Sequence, residues 1–217
     1  MNKDEILRAA KWRGAVKEFD PDRKINEDDM EFLLEIARLS PTSYGFEPYS
    51  IIIVQNPKLR EQLVQSGAVG VNGPRFDASH ILIFTVKTDL GVDSKYFREI
   101  MSKVRNLDKE TQNKILTTFS NFQNNYQDLT DDRKRHDWAA KQAYIVMANI
   151  MLAAAQINID SCAIEGFDKN AVESILNDNK AIDLNVDRVV VILALGYRAK
   201  DPAPKTRRSV EEIVKIV

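Results

Sequence analysis

The sequence predicts an α+β domain built on one central sheet, and three features carry that prediction. Four short runs rich in β-branched residues are separated by segments of helical spacing. The helices cluster early and do not alternate strictly with the strands, which argues against a doubly wound parallel sheet. The segment "WAAKQAYIVMANIMLAAAQ" is apolar almost all round, the mark of a buried helix rather than a surface one. The expected architecture is a mostly antiparallel sheet packed around that long helix and flanked by others. Residues 1–217 are expected to form a single domain.

The elements follow in order. "DEILRAAKWR" sets Ile6, Leu7, Ala9 and Ala10 on one side of a short helix. In "INEDDMEFLLEIARLSP", Asn26 is the N-cap, the acids at 27–29 suit the first turn, and Pro41 lies beyond the end. "YSIIIVQNP" is a strand closed by Asn-Pro, and "KLREQLVQSGA" returns to helix. "SHILIFTVKT" is too apolar to have one wet face, so it is a central strand. Residues 93–135 are polar, with helical spacing at Ile115, Leu116, Phe119 and Phe122; they form a helical excursion, a candidate flap. After the buried helix, "IDSCAIEGFD" is a third strand with a loop. Asp168 opens a helix with an acid, Glu173, in a capping-box-like place. "DRVVVILALGYR" is a fourth strand buried on both faces, and residues 199–217 form a loop followed by a short element.

A chain of 217 residues buries roughly 70% of its unfolded surface, so it needs no disulfide or metal to hold a core. Hydrophobic residues make up 44% and charged residues 29%, ordinary for a soluble domain. The net charge of −1 gives no electrostatic reason to bind nucleic acid or a membrane. One cysteine excludes an internal disulfide and fits a reducing cytoplasm. The first residues lack the apolar core of a signal peptide, and residues 143–155 are too short an apolar run to span a bilayer. The expected location is cytoplasmic.

Several chemistries lack their motifs: there is no GxGxxG after a strand, no P-loop, no HExxH, no CxxC and no GxSxG. Of the two histidines, His80 reads as a hydrogen-bonded structural residue at a strand start, and Cys162 reads as a small buried hydrophobe. No metal site can be assembled from this inventory. Three basic groups sit in loops: Arg13 with Lys17, Arg75 three residues after Asn72, and Lys205 with Arg207 and Arg208. Each alone reads as solvated surface; phosphate recognition without a P-loop requires several to converge. The loop "LSPTSYGFEPYS" offers hydroxyls and free backbone to a polar ligand, and reads equally as a helix-to-strand turn.

Taken in order, "RGAVKEFDPDRKI", "LLEIARLSPTSYGFEPYSIIIV", "NGPRFDASHILIF", the buried helix running into "IDSCAIEGFD", and "LALGYR" followed by "PKTRRS" resemble the FMN-dependent nitroreductase family. The resemblance is nearest to the oxygen-insensitive NAD(P)H nitroreductases and dihydropteridine-reductase-like members, and it runs over nearly the whole chain. It implies a domain-swapped type of homodimer with FMN at the subunit interface. It further implies NADH or NADPH as reductant and a small-molecule acceptor such as a nitroaromatic or quinone, reduced by ping-pong hydride transfer through flavin N5. By the same resemblance, Arg13, Lys205 and Arg207 hold the FMN phosphate. Arg13, Gly14, Ala15 and Lys17 line the ribityl chain, and Asn72 and Arg75 reach the polar ring edge. Pro41, Thr42, Ser43 and Gly45 come from the partner subunit. Ile164, Glu165 and Gly166 pass one flavin face, Glu165 and Arg75 being the side chains nearest the chemistry. The chain departs from the family pattern at Ala15, Gly45, Glu47, Tyr49 and Ala163, where Ser, Asn, Gln, Trp and Pro are usual. These departures leave a second reading, a flavin-binding or sensor protein without turnover.

Overall fold

The computed structural model describes residues 2–217. Helix α1 (Lys3–Trp12) opens with a reciprocal capping box between Asn2 and Glu5. Helix α2 (Glu27–Arg38) starts at Asn26, whose side chain accepts from the Asp29 N–H at 2.8 Å. Strand β1 (Tyr49–Ile53) leads to helix α3 (Pro57–Gln65), with Asn56 as N-cap and proline in its first turn. Strand β2 (His80–Lys87) follows, then helices α4 (Lys95–Glu99), α5 (Lys109–Asn121) and α6 (Asp132–Gln156). Strand β3 (Asp160–Ile164), helix α7 (Lys169–Asp178), strand β4 (Asp187–Gly196) and the single turn α8 (Val210–Ile213) complete the chain.

The sheet has the order β1-β2-β4-β3, and every neighbouring pair is antiparallel. The most apolar runs, β2 and β4, are the two central strands, as their composition requires. Leu82, Phe84, Val86, Val191, Leu193 and Leu195 pack with α2, α6 and the excursion on one face. Ile81, Ile83, Val189, Ile192 and Ala194 pack with α3 and α7 on the other. Val189 and Val191 would share a face in a regular strand. A bulge opposite Phe84 and Thr85 inserts Val190 and sends them to opposite cores.

The long helix shares its side of the sheet with α2 and the excursion. The sheet packs against α6 on one face, and α3 and α7 cover the other. At 25 residues, α6 is about 37 Å long and crosses all four strands.

Residues 93–135 are helical as expected, and each of their two helices runs into one π-helical turn, Ile100–Val104 and Phe122–Tyr126. Their interior is aromatic: Phe97 stacks on Phe46 at 4.4 Å, and Phe119 meets Trp138 at 5.6 Å. Phe119 is fully buried, whereas Tyr126 is 71% exposed. Besides these rings, two hydrogen bonds fasten the excursion to the loop after α2. The Tyr96 hydroxyl donates to the Glu47 carbonyl, and the Arg105 guanidinium donates to the Tyr44 carbonyl.

Two local expectations are corrected. Only Ala9 of α1 is buried; Ile6 and Leu7 are 41% and 52% exposed, although α1 packs against α6. Glu173 takes no part in capping α7, which Asp168 caps through the Ala171 N–H. Glu173 is instead 2% exposed and bonded to Arg188 and the Val189 N–H, since its position on α7 faces the sheet.

Candidate functional site

The first group of basic residues converges. Arg13 sits at the end of α1, and the Lys205 ammonium bonds to the carbonyls of Ala10 and Lys11 in the last turn of that helix. A helix C-terminus repels anions, and Lys205 offsets that repulsion by occupying its free carbonyls. Desolvation first, then the charges of Arg13 and Arg207, push the Lys205 ammonium below its ordinary pKa. Among the described residues, Arg13, Lys205 and Arg207 have no carboxylate partner within ion-pair distance. Three cations near one another without a counter-ion fit a multiply charged anion such as a phosphate.

What brings the tail there is Gly14. A Cβ at Gly14 would stand 2.4 Å from Pro202 Cγ, so Pro202 lies directly against Gly14, and residues 200–203 line a cavity with Ala15 and Lys17. Lys17 is exposed and lines a shallow cavity of about 280 Å³ with Ala15, Pro202 and Ala203. The strip then runs beside the edge strand β3: Ala15 forms a parallel bridge to Ser161. From Ser161 to Glu165 the chain advances roughly 13 Å at the rise of a strand.

A second group sits at that far end. The Asn72 amide donates to the Gly166 carbonyl at 2.6 Å and to the Val69 carbonyl at 3.1 Å. The Asp168 N–H donates to the Ala68 carbonyl, so the turn after β3 is tied down on both sides of Gly166. Arg75 comes from the same 3-10 turn, Gly70–Asp77; its Nε is buried with no partner, and its terminal nitrogen reaches only the Val71 carbonyl at 3.4 Å. A buried donor without an acceptor is costly, and it marks a place where a ligand acceptor fits. Ile164 is buried, while Glu165 and Gly166 are exposed. Glu18 and Asp201 line the same cavity as Lys17, and Glu165 Oε1 accepts from the Tyr144 hydroxyl.

Pro41, Thr42, Ser43 and Gly45 are not brought to either group. The Ser43 N–H bonds to Gln142 Oε1 at 2.9 Å. Gln142 and Tyr144 stand two residues apart on α6, about 200° of arc, so the 41–45 loop lies across the helix from Glu165. His80 is structural: its Nδ1 is 3.0 Å from Ser79 Oγ, and burial, then Arg60 and Lys24, push its pKa down. Cys162 is buried on β3. No group of His, Cys, Asp and Glu among the described residues can hold a metal ion, and no helix is long and apolar enough to cross a membrane.

Three contributors escaped the sequence. Tyr144 was one of many apolar positions on a buried helix. Gln142 looked like an ordinary helix former. Arg60, on α3, bonds the carbonyls of Val54, Phe76, Ala78 and Ser79 through its guanidinium and anchors the segment after Arg75. The only signal available for any of them was a polar group on an otherwise apolar face.

The Nitroreductase family model matches residues 10–197. The chain belongs to the nitroreductase family. It is 39% identical over 218 aligned residues to a Bacillus subtilis (strain 168) protein named "Putative NAD(P)H nitroreductase YfkO", covering 99% of this chain and 98% of that one. Among solved structures, a nitroreductase-like protein from Streptococcus mutans superposes with a TM-score of 0.81 at 19% identity, with both chains covered in full. A protein from Exiguobacterium sibiricum, described as a "putative nitroreductase in complex with FMN", superposes with a TM-score of 0.77 at 16% identity, covering 100% of this chain and 98% of that one. At such identities the structural likeness is one of fold. Kinship at 39% identity makes the chain an oxidoreductase of the NAD(P)H nitroreductase type.

Proposed function

We propose that the chain binds FMN in the groove along β3 and reduces small organic acceptors at the expense of NADH or NADPH. The observation that carries this reading is the pairing of an unpartnered cation cluster at one end of the groove with an unsatisfied Arg75 donor at the other. Arg13, Lys205 and Arg207 hold the phosphate. The Arg13–Lys17 strip follows the ribityl chain past Ser161. Asn72, already bonded to Gly166, and Arg75 meet the polar edge of the ring, and Gly166 lets the backbone come close to a flat surface. When bound, FMN would supply two-electron hydride chemistry between NADH or NADPH and a nitroaromatic, quinone or related acceptor. Arg75 places positive charge where negative charge builds on the ring edge, the electrostatic logic of an oxyanion hole. Supporting this reading are the named relative and the FMN complex of the structural neighbour.

The active unit in this reading is a homodimer. The Pro41–Gly45 loop lies across α6 from its own groove and serves the groove of a second copy. Exposed Ile6, Leu7, Val210, Ile213, Val214 and Ile216 give that copy an apolar surface to cover. Light scattering tests it, with twice the chain mass expected.

The deciding experiment is a visible spectrum of the purified protein with FMN, followed by anaerobic mixing with NADH and NADPH and reoxidation by an acceptor panel. A protein that fails to bind FMN sinks the proposal. Bound flavin that neither nucleotide bleaches leaves a flavin-binding module without turnover.

A further inference from the structure

Glu165 stands at the tip of β3 in an unusual setting. Its side chain is exposed beside the turn that Asn72 ties down, and no lysine or arginine pairs with it among the described residues. Its one side-chain partner is the Tyr144 hydroxyl, which reaches across from the middle of α6. Among the described residues, Tyr144 in turn has no other acceptor. A bare carboxylate next to the proposed ring site would oppose the build-up of negative charge there. A phenol donor takes up part of the carboxylate's charge and holds it in one rotamer. Burial, then the hydrogen bond and charge of Glu165, push the Tyr144 phenol well above its ordinary pKa, so it stays a donor throughout the working range.

We propose that Tyr144 is a positioning residue that fixes the Glu165 carboxylate and damps its charge, and so raises the reduction potential of the bound flavin. This rests on the FMN reading above. The geometry supports it from both directions: Glu165 sits one residue before Gly166, and α6 is the long helix that crosses the whole sheet. Removing the hydroxyl leaves the carboxylate without its donor and free to turn. Replacing the carboxylate by an amide removes the charge while keeping an acceptor for the phenol.

The test is a cycle of Tyr144→Phe, Glu165→Gln and the double variant, with the midpoint potential of bound FMN measured by dye equilibration. Loss of one hydrogen bond to a charged group predicts that Y144F shifts the reduced-to-oxidised ratio about tenfold toward oxidised, about 30 mV lower for a two-electron couple. E165Q shifts it the other way. In the E165Q background, Y144F changes nothing further. An unchanged potential in E165Q overturns the proposal whether or not Y144F folds. An equal shift from Y144F with and without Glu165 also overturns it, because that outcome is a general packing effect. In the protein without FMN, the absorbance titration of Tyr144, read as wild type minus Y144F, is expected above the ordinary tyrosine range and lower in E165Q. If the wild type binds no FMN, the proposed function fails along with this inference. If it binds FMN and the cycle is flat, only this inference fails.

Discussion

Gly14→Ala is a single-methyl perturbation aimed at the cation cluster. Gly14 has an ordinary negative φ, so the substitution meets no backbone conflict, only Pro202. The new Cβ would lie 2.4 Å from Pro202 Cγ and 2.8 Å from its Cβ, where ordinary contacts begin at 3.4 Å. The tail must therefore retreat by about 1 Å, a shift typical of the overpacking that costs ~1–3 kcal/mol in a rigid core. Here the tail is mostly exposed, so it moves in preference to the core, and global stability falls toward the low end of that range. Lys205 and Arg207 travel with it, away from Arg13. Losing one charge-assisted phosphate contact costs about 2 kcal/mol, which is roughly 30-fold in Kd. Fluorescence titration with FMN measures this directly. Riboflavin, which lacks the phosphate, is the control and is expected to bind both proteins alike. Unchanged FMN affinity, or equal losses for FMN and riboflavin, refutes the argument that Gly14 acts through the phosphate cations.

Two further outcomes follow from the same contacts. Arg60→Ala strips partners from the carbonyls of Val54, Ala78 and Ser79, and unfolding in urea is expected to show a loss of about 3 kcal/mol; a change below ~0.5 kcal/mol would mean water replaces the guanidinium at no cost. Burial is the largest cause lowering the pKa of both His80 and His136, so the folded state binds protons less readily than the unfolded chain. Their contribution is complete above the unfolded value of about 6.5 and is lost as the pH falls from there through the depressed folded values. The melting temperature should drop on going from neutral to mildly acid buffer, and His80→Gln should flatten that slope; an unaltered slope contradicts the assignment.

Much of the fold was legible because its signals are local. Asn26 and Asp168 cap the helices they precede, since a side-chain oxygen satisfies an N–H only three residues away. The composition of β2 and β4 marked them as central because strands covered on both faces cannot alternate with polar residues. Glu173 misled because the spacing of an acid near a helix start does not reveal which way that helix faces. Ile6 and Leu7 misled for the related reason that an apolar stripe states a preference for burial but not the partner that provides it.

The basic residues of the candidate site were visible one by one, and the ordered motifs tied them to a family. The sequence by itself therefore determined the class of fold, the order of its elements and the inventory of charged groups. Only the tertiary structure decided which of those groups meet. Lys205 reaches the Ala10 carbonyl across 195 residues of chain, and Asn72 reaches Gly166 across 94. Tyr144 finds Glu165 because α6 and β3 are packed against each other, with a tight turn between them. Side-chain periodicity carries information over one or two turns of backbone, whereas these contacts depend on how whole layers stack. The convergence of Arg13, Lys205 and Arg207 and the hold of Tyr144 on Glu165 are consequences of that stacking.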